Sequence, residues 1–85
     1  MPAKFFYIPK KTNKRVSKFP IPIQEKIDKA FNIIKENPIK GEKLGGELKN
    51  YYKYRVGDYR IVYQFDSKLS MVIVVKVEHR QGVYK

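Results

Sequence analysis

The sequence predicts an α+β domain in which one or two helices precede an antiparallel β-sheet. Apolar residues recur at helical spacing between about residues 22 and 36, and apolar and polar side chains alternate from about residue 48 onward. Within the alternating region, Gly57-Asp58 suits a two-residue hairpin turn, which joins antiparallel strands. We therefore expect the apolar stripe of the helix to cover one face of the sheet.

The N-terminal third combines a short strand with a basic segment. Residues 4–8 are mostly aromatic and are followed by Pro9, which favours a first strand. Basic side chains dominate residues 10–18, where Val16 is the only apolar residue. So little apolar surface predicts a solvated basic turn or short helix rather than a firmly docked one.

The main helix is predicted from about Pro22 to Glu36. It stops at Asn37 because Pro38 disfavours helical backbone in the residue before it. Residues 38–47 contain three glycines and predict a loop. The buried stripe of the helix comprises Ile23, Ile27, Ala30, Phe31 and Ile34.

The hairpin turn determines which residues oppose each other on the strands around it. Arg55 then faces Arg60 and Lys53 faces Val62, so one face of the hairpin is basic and the other is apolar. Two like charges in directly opposite positions cost about 0.2–1 kcal/mol, and an arriving polyanion would offset this cost. Residues 71–75 form a continuous apolar run that Val77 extends, which predicts a further strand covered on both faces.

Composition and charge narrow the classes of function. A length of 85 residues predicts a single domain spanning residues 1–85, and a net charge of +11 indicates an anionic partner such as a phosphate backbone or an acidic protein. The absence of cysteine excludes disulfides and thiolate metal sites. No apolar segment approaches the ~18 residues that span a bilayer. We therefore expect a cytoplasmic protein with no membrane partner.

The chain lacks the residue sets of several enzyme classes. Its eight carboxylates are scattered along the sequence, which argues against a two-metal nuclease, and a single histidine without cysteine excludes the usual zinc sites. We expect neither a metal nor another cofactor. An enzyme built on lysine, arginine, tyrosine and one histidine suits attack of an RNA 2′-hydroxyl on the neighbouring phosphate, which requires proton transfer and charge neutralisation.

Three segments of the chain resemble the RelE branch of the RelE/ParE toxin superfamily. They read KLGG at residues 43–46, YRVGDYRIVY at residues 54–63, and VKVEHR at residues 75–80 with a Val-Tyr pair at 83–84. The resemblance implies a small twisted antiparallel sheet with N-terminal helices packed on one face. It also implies a toxin that cleaves mRNA in the A site of the 70S ribosome without a metal, and an acidic RelB-like antitoxin that wraps around it.

The resemblance further assigns catalytic residues. Lys53 and Arg55 match the paired basic positions before the turn, and Arg60 matches the arginine that stabilises the phosphate. Near the end of the chain, Arg80 matches a basic residue that follows the last strand. Tyr84 matches a C-terminal tyrosine that stacks on or orients a base.

Two positions depart from the family pattern, and one histidine is a secondary candidate. Arg55 stands where some members have lysine, which moves the role of proton acceptor toward Lys53. Glu78 stands where glycine is common, and there it would quench or orient Arg80. His79 is the secondary catalytic candidate, because some relatives use a histidine near the C-terminus for proton transfer.

Four further residues are candidates for RNA contacts. Lys49 and Tyr51 alternate onto the basic face of the hairpin, where Tyr51 can stack on a base. Lys10 and Lys14 would share one side of a helical N-terminal segment. The other tyrosines of the hairpin are expected to pack in the core or against neighbouring strands.

Two alternative functions fit the same basic domain. A ParE-like toxin would inhibit DNA gyrase through protein contacts, and it would not need Lys53, Arg60 and the C-terminal pair together. A non-catalytic RNA-binding module would bind with steep salt dependence but would leave the RNA intact.

Overall fold

A computed structural model describes residues 2–46 and 50–79, and within them two helices cover one face of a five-stranded sheet. The elements are β1 (Phe5–Tyr7), α1 (Lys10–Val16), α2 (Ile21–Glu36), β2 (Glu42–Lys43), β3 (Tyr51–Val56), β4 (Tyr59–Asp66) and β5 (Met71–His79). Across the sheet the strands follow the order β1-β5-β4-β3-β2. The predicted fold class is confirmed. The pair β1–β5 is parallel, so the sheet is mixed, while its other neighbouring strands are antiparallel.

Helix α1 docks more firmly than its sequence predicts. Thr12 and Val16 are both buried, and the Thr12 hydroxyl lies 3.5 Å from the backbone oxygen of Val75 on β5. A threonine therefore supplies part of the docking surface, which the apolar pattern alone does not reveal. The helix packs against the part of β5 that extends beyond its pairing with β1.

Helix α2 agrees with its predicted bounds to within one residue. Pro22 lies in the first turn, where its missing N–H costs nothing. The helix ends at Glu36, and Asn37 is its C-cap, just before Pro38. The Gln24 amide donates to the backbone oxygens of Ser17 and Phe19, which ties the connection between the helices to α2. Within the described residues, no helix is long and apolar enough to cross a membrane.

The core lies between the helices and the middle strands. From the helices it includes Ile27, Ala30 and Ile34, as the helical spacing predicts. From β4 and β5 it includes Ile61, Tyr63, Val72, Val74 and Val77.

A β-bulge interrupts the alternation of buried and exposed residues in β5. Val62 pairs with Lys76, whereas Tyr63 pairs with Val74, so Val75 is an extra residue on β5. The bulge shifts the alternation, and Val74 and Val77 both become buried. The expectation that this strand is covered on both faces is wrong, because Val75 is 40% exposed.

A buried tyrosine fixes the segment that leads into β2. The Tyr63 hydroxyl donates to the Pro38 oxygen at 2.7 Å and accepts from the Gly41 N–H at 3.1 Å. A Cβ at residue 41 would lie 2.7 Å from this hydroxyl and 2.9 Å from the Lys53 oxygen, so only glycine fits there. The predicted loop therefore contains a short edge strand, β2, held against β3.

Candidate functional site

The hairpin between β3 and β4 positions the candidate residues. Gly57 has a φ of +59°, as a two-residue turn with glycine first requires, and Arg55 pairs with Arg60 as predicted. Directly paired residues lie on the same side of a sheet, and so do residues two apart on one strand. Lys53 therefore lies on the same side as the two arginines. The basic face that the sequence predicts is therefore present.

This surface, which we call the open face, is the side of the sheet directed away from the helices. Its cations lie in two rows that cross β3, β4 and β5. One row contains Arg55, Arg60 and Glu78, and the other contains Lys53, Val62 and Lys76. Tyr51 and Gln64 form the next paired row along the face. Opposed side chains have Cβ atoms about 5 Å apart, so one polymer strand can contact several of these cations.

Two carboxylates pair with three of the four cations in these two rows. Glu78 accepts a hydrogen bond from Arg60 Nε at 2.9 Å, and the same oxygen lies 3.6 Å from Lys76 Nζ. Lys53 Nζ lies 3.5 Å from a carboxylate oxygen of Glu42 on β2. Within residues 2–46 and 50–79, Arg55 forms no ion pair. The cost of opposing Arg55 and Arg60 is therefore partly relieved by Glu78 on the other side of Arg60.

His79 does not join the cations of the open face. It pairs with Tyr59 across the two strands, and the two rings meet edge to face with centroids 4.8 Å apart. Tyr59 in turn packs against Phe19, which follows α1, with the two ring centroids 4.9 Å apart. His79 therefore lies on the helix side of the sheet, apart from Lys53, Arg55 and Arg60, and its role as a secondary catalytic candidate stays a prediction.

The remaining predicted residues are divided between α1, the open face and segments outside the described part of the chain. Lys14 lines a groove of about 500 Å³ between α1 and β5, together with Lys11, Arg15 and Lys18. Lys10 is the exposed first residue of α1. Tyr51 is half-buried on the open face, as predicted. Three predicted residues lie outside the described residues: Lys49, Arg80 and Tyr84.

The chemistry available on the open face is that of fixed cations. Arginines cannot be deprotonated readily, so Arg55 and Arg60 can only donate hydrogen bonds and neutralise charge. Of Lys53, Arg55 and Arg60, only Lys53 has a side chain that suits proton transfer. In the described part of the chain, no cluster of three or more histidine, cysteine or carboxylate side chains is placed to hold a metal ion.

Sequence reasoning misses two acids and one lysine of this site. The sequence predicts a loop around Glu42, because a strand of two residues has no periodicity to detect. It connects Glu78 only with Arg80, which lies outside the described residues. It does not reveal the contact of Glu78 with Arg60, and it gives Lys76 no role. The alternation of β5 places residues 76 and 78 on one face, but the bulge and the β4–β5 register cannot be read from local sequence.

Comparisons with known proteins agree on one family. The family model described as "ParE toxin of type II toxin-antitoxin system, parDE" matches residues 8–84. Toxin RelG of Mycobacterium tuberculosis is 30% identical over 60 residues, which is 69% of each chain.

Solved structures with the same fold include toxins and toxin-antitoxin complexes. A chain of the M. tuberculosis complex RelBE2 aligns with a TM-score of 0.80 and 26% identity, over 94% of this chain and 93% of that chain. A mutant of the E. coli toxin RelE in the free state aligns with a TM-score of 0.81 and 25% identity, over 99% of this chain and 90% of that chain. A chain of the intact E. coli RelBE complex aligns with a TM-score of 0.77 and 27% identity, over 88% of this chain and 94% of that chain.

Proposed function

Because this chain belongs to the ParE toxin family of type II toxin-antitoxin systems, within the RelE/ParE superfamily, we propose that it is a metal-independent, ribosome-dependent endoribonuclease. The observation that carries the proposal is the grouping of Lys53, Arg55 and Arg60 on one open sheet face. A surface with these cations can hold a phosphate and neutralise the charge that develops on it during cleavage. The similarity of this chain to the toxins named RelG and RelE supports the proposal of a RelE-like activity, that is, the cleavage of mRNA.

In the proposed reaction, the 2′-hydroxyl of one nucleotide attacks the adjacent phosphate and the 5′-oxygen of the next nucleotide leaves. Arg55 and Arg60 donate hydrogen bonds to the phosphate oxygens, for which the planar guanidinium fork is suited. Lys53 takes part in proton transfer: the 2′-hydroxyl loses its proton as it attacks, and the 5′-oxygen gains one as it leaves and the 2′,3′-cyclic phosphate forms. Arg80 and Tyr84 are assigned by family resemblance alone, Arg80 to the same phosphate and Tyr84 to an adjacent base.

The proposed substrate is mRNA in the A site of the 70S ribosome. Tyr51 lies in the row beside Lys53 and is the candidate for stacking on a base of the message. Lys14 lines the groove beside α1. We propose that it contacts phosphates outside the cleaved linkage, as do Lys10 and Lys49. A basic surface of this kind also increases the rate of encounter with RNA.

The proposed protein partner is an acidic, RelB-like antitoxin in the cytoplasm. The solved complexes M. tuberculosis RelBE2 and E. coli RelBE each pair a toxin with an antitoxin. A net charge of +11 gives this chain a strong electrostatic reason to bind an acidic chain. We expect the antitoxin to cover or displace the segment that carries Arg80 and Tyr84.

A ParE-like inhibitor of DNA gyrase is the second candidate, because the matching family model is described as a ParE toxin. The two functions differ in what they require of the open face. Gyrase inhibition through protein contacts does not require a proton-transferring lysine beside two arginines, whereas RNA cleavage does.

Primer extension on cellular messages after induction of the protein tests the proposal. We expect cuts within codons of translated messages, and loss of these cuts in Lys53→Ala and Arg60→Ala. Lys29→Ala is the matched control, because it removes one positive charge from an exposed position on α2. Intact messages with DNA breaks would favour gyrase inhibition. RNA binding without cuts would favour a non-catalytic module.

A further inference from the structure

We propose that Glu78 is a positioning residue, which holds Arg60 in the orientation that receives the phosphate and at the same time limits the affinity of the open face for RNA. This inference rests on the proposed function. It concerns a residue that neither the family resemblance nor the sequence pattern connects with Arg60.

The geometry of the contact is specific. Glu78 Oε1 accepts from Arg60 Nε at 2.9 Å, and Arg60 and Glu78 are direct partners on β4 and β5. The Glu78 side chain is only 19% exposed, so water competes with this contact less than it would at a fully exposed pair. Lys76 Nζ lies 3.6 Å from the same carboxylate oxygen.

This contact leaves the outer part of the guanidinium available. An arginine has five N–H donors, and the bond to Glu78 uses the one on Nε. The two terminal nitrogens keep their donors and can bind a phosphate in a bidentate manner. Because the side chain is already oriented, less conformational entropy is lost when the phosphate arrives.

The same carboxylate opposes the binding of RNA. Its negative charge lies next to the Arg60 guanidinium, so it repels a phosphate that binds to the terminal nitrogens of that group. Orientation and charge can be separated by substitution. Glutamine keeps an oxygen that can accept from Nε but has no charge, whereas alanine removes both the acceptor and the charge.

The experiment compares Glu78→Gln and Glu78→Ala with Glu25→Gln, which makes the same change in net charge on the exposed side of α2. Affinity is measured with an RNA carrying a 2′-deoxy substitution at the cut site, and kcat with the cleavable message on programmed ribosomes. We expect Glu78→Gln to bind about 2- to 5-fold more tightly than Glu25→Gln and to keep its kcat, as removal of one partly screened charge implies. We expect kcat of Glu78→Ala to fall about tenfold, the effect of losing a hydrogen bond to a charged group.

A double-mutant cycle shows whether Glu78 acts through Arg60. In the Arg60→Ala background, Glu78→Ala should have no further effect on kcat, because the group that it orients is absent. Independent, additive losses would overturn the inference. So would an unchanged kcat for Glu78→Ala when Arg60→Ala is defective.

A separate measurement keeps the inference testable if the protein does not cleave RNA. In NMR spectra, the Arg60 Hε signal should exchange slowly with water in the wild type and in Glu78→Gln, and rapidly in Glu78→Ala. Slow exchange together with the expected affinity changes would support the positioning role even if the proposed nuclease function failed. Rapid exchange in the wild type would overturn it.

Discussion

The two faces of strand β4 show how one backbone serves two different purposes. Ile61 is fully buried on the helix side, whereas its neighbour Arg60 lies on the open face and contacts Glu78. The first position is specified by the volume that it fills, and the second by the charges around it. Core packing and the proposed contact with RNA therefore involve adjacent residues that face opposite sides of the sheet.

Substituting these two neighbours should separate the faces most clearly. Ile61→Ala leaves a cavity among fully buried side chains, so we expect it to lower the free energy of unfolding by about 3 kcal/mol. Arg60→Ala breaks a partly exposed ion pair and should cost less than about 1 kcal/mol. RNA cleavage should show the reverse, with a single-turnover rate constant about 100-fold lower for Arg60→Ala at a temperature where both variants are folded.

Urea unfolding and single-turnover cleavage measure the two effects. The helix side and the open face would not be separable if Arg60→Ala unfolded as easily as Ile61→Ala. A cleavage rate unchanged by Arg60→Ala would remove that residue from the phosphate site.

Tyr63 tests whether the helix side also depends on polar contacts. Tyr63→Phe keeps the ring but leaves the Pro38 oxygen and the Gly41 N–H without their partner, so we expect a loss of about 1–3 kcal/mol. Burial raises the pKa of the Tyr63 hydroxyl above its ordinary value of 10.0. The unfolded chain therefore loses this proton at lower pH than the folded protein does.

The sign of the pH dependence follows from that difference. The stabilisation by Tyr63 should be complete below pH 10 and should be lost as the pH rises through the folded-state pKa. The gap between the wild type and Tyr63→Phe, measured by urea unfolding at pH 8 and at pH 11, should therefore narrow. A constant gap would show that the hydroxyl is not protected by the fold.

The same contrast explains which features the sequence could predict. The main helix and the β3–β4 hairpin follow from local patterns, namely the spacing of Ile27 and Ile34 and the turn at Gly57. The contact between Arg60 and Glu78 depends on the β4–β5 register, which a bulge shifts and which no local pattern reveals. The three cations of the hairpin could therefore be predicted, whereas Lys76 on β5 and the acids that pair with these cations could not.

Gly57 tests how far the open face depends on the turn. An alanine at a φ of +59° is strained, so we expect Gly57→Ala to lower stability by about 1 kcal/mol. Gly45→Ala is the control, because a Cβ there meets nothing within 4 Å and the position needs no positive φ. Thermal unfolding compares the two variants. Equal melting temperatures would mean that the conformation of residue 57 does not limit the stability of the hairpin.

Arg55 offers the smallest effect and the one with opposite signs for stability and binding. It faces Arg60 directly, so removing its charge should stabilise the fold by about 0.2–1 kcal/mol. We expect a value at the lower end of this range, because Glu78 already offsets part of the repulsion between the two arginines. Arg55→Gln should therefore be slightly more stable than Arg55→Lys, which keeps the charge, and should bind RNA more weakly. The stability gain should shrink at 1 M salt, where the Debye length is about 3 Å. A gain that does not depend on salt would show that side-chain packing, and not charge, distinguishes this position on the open face.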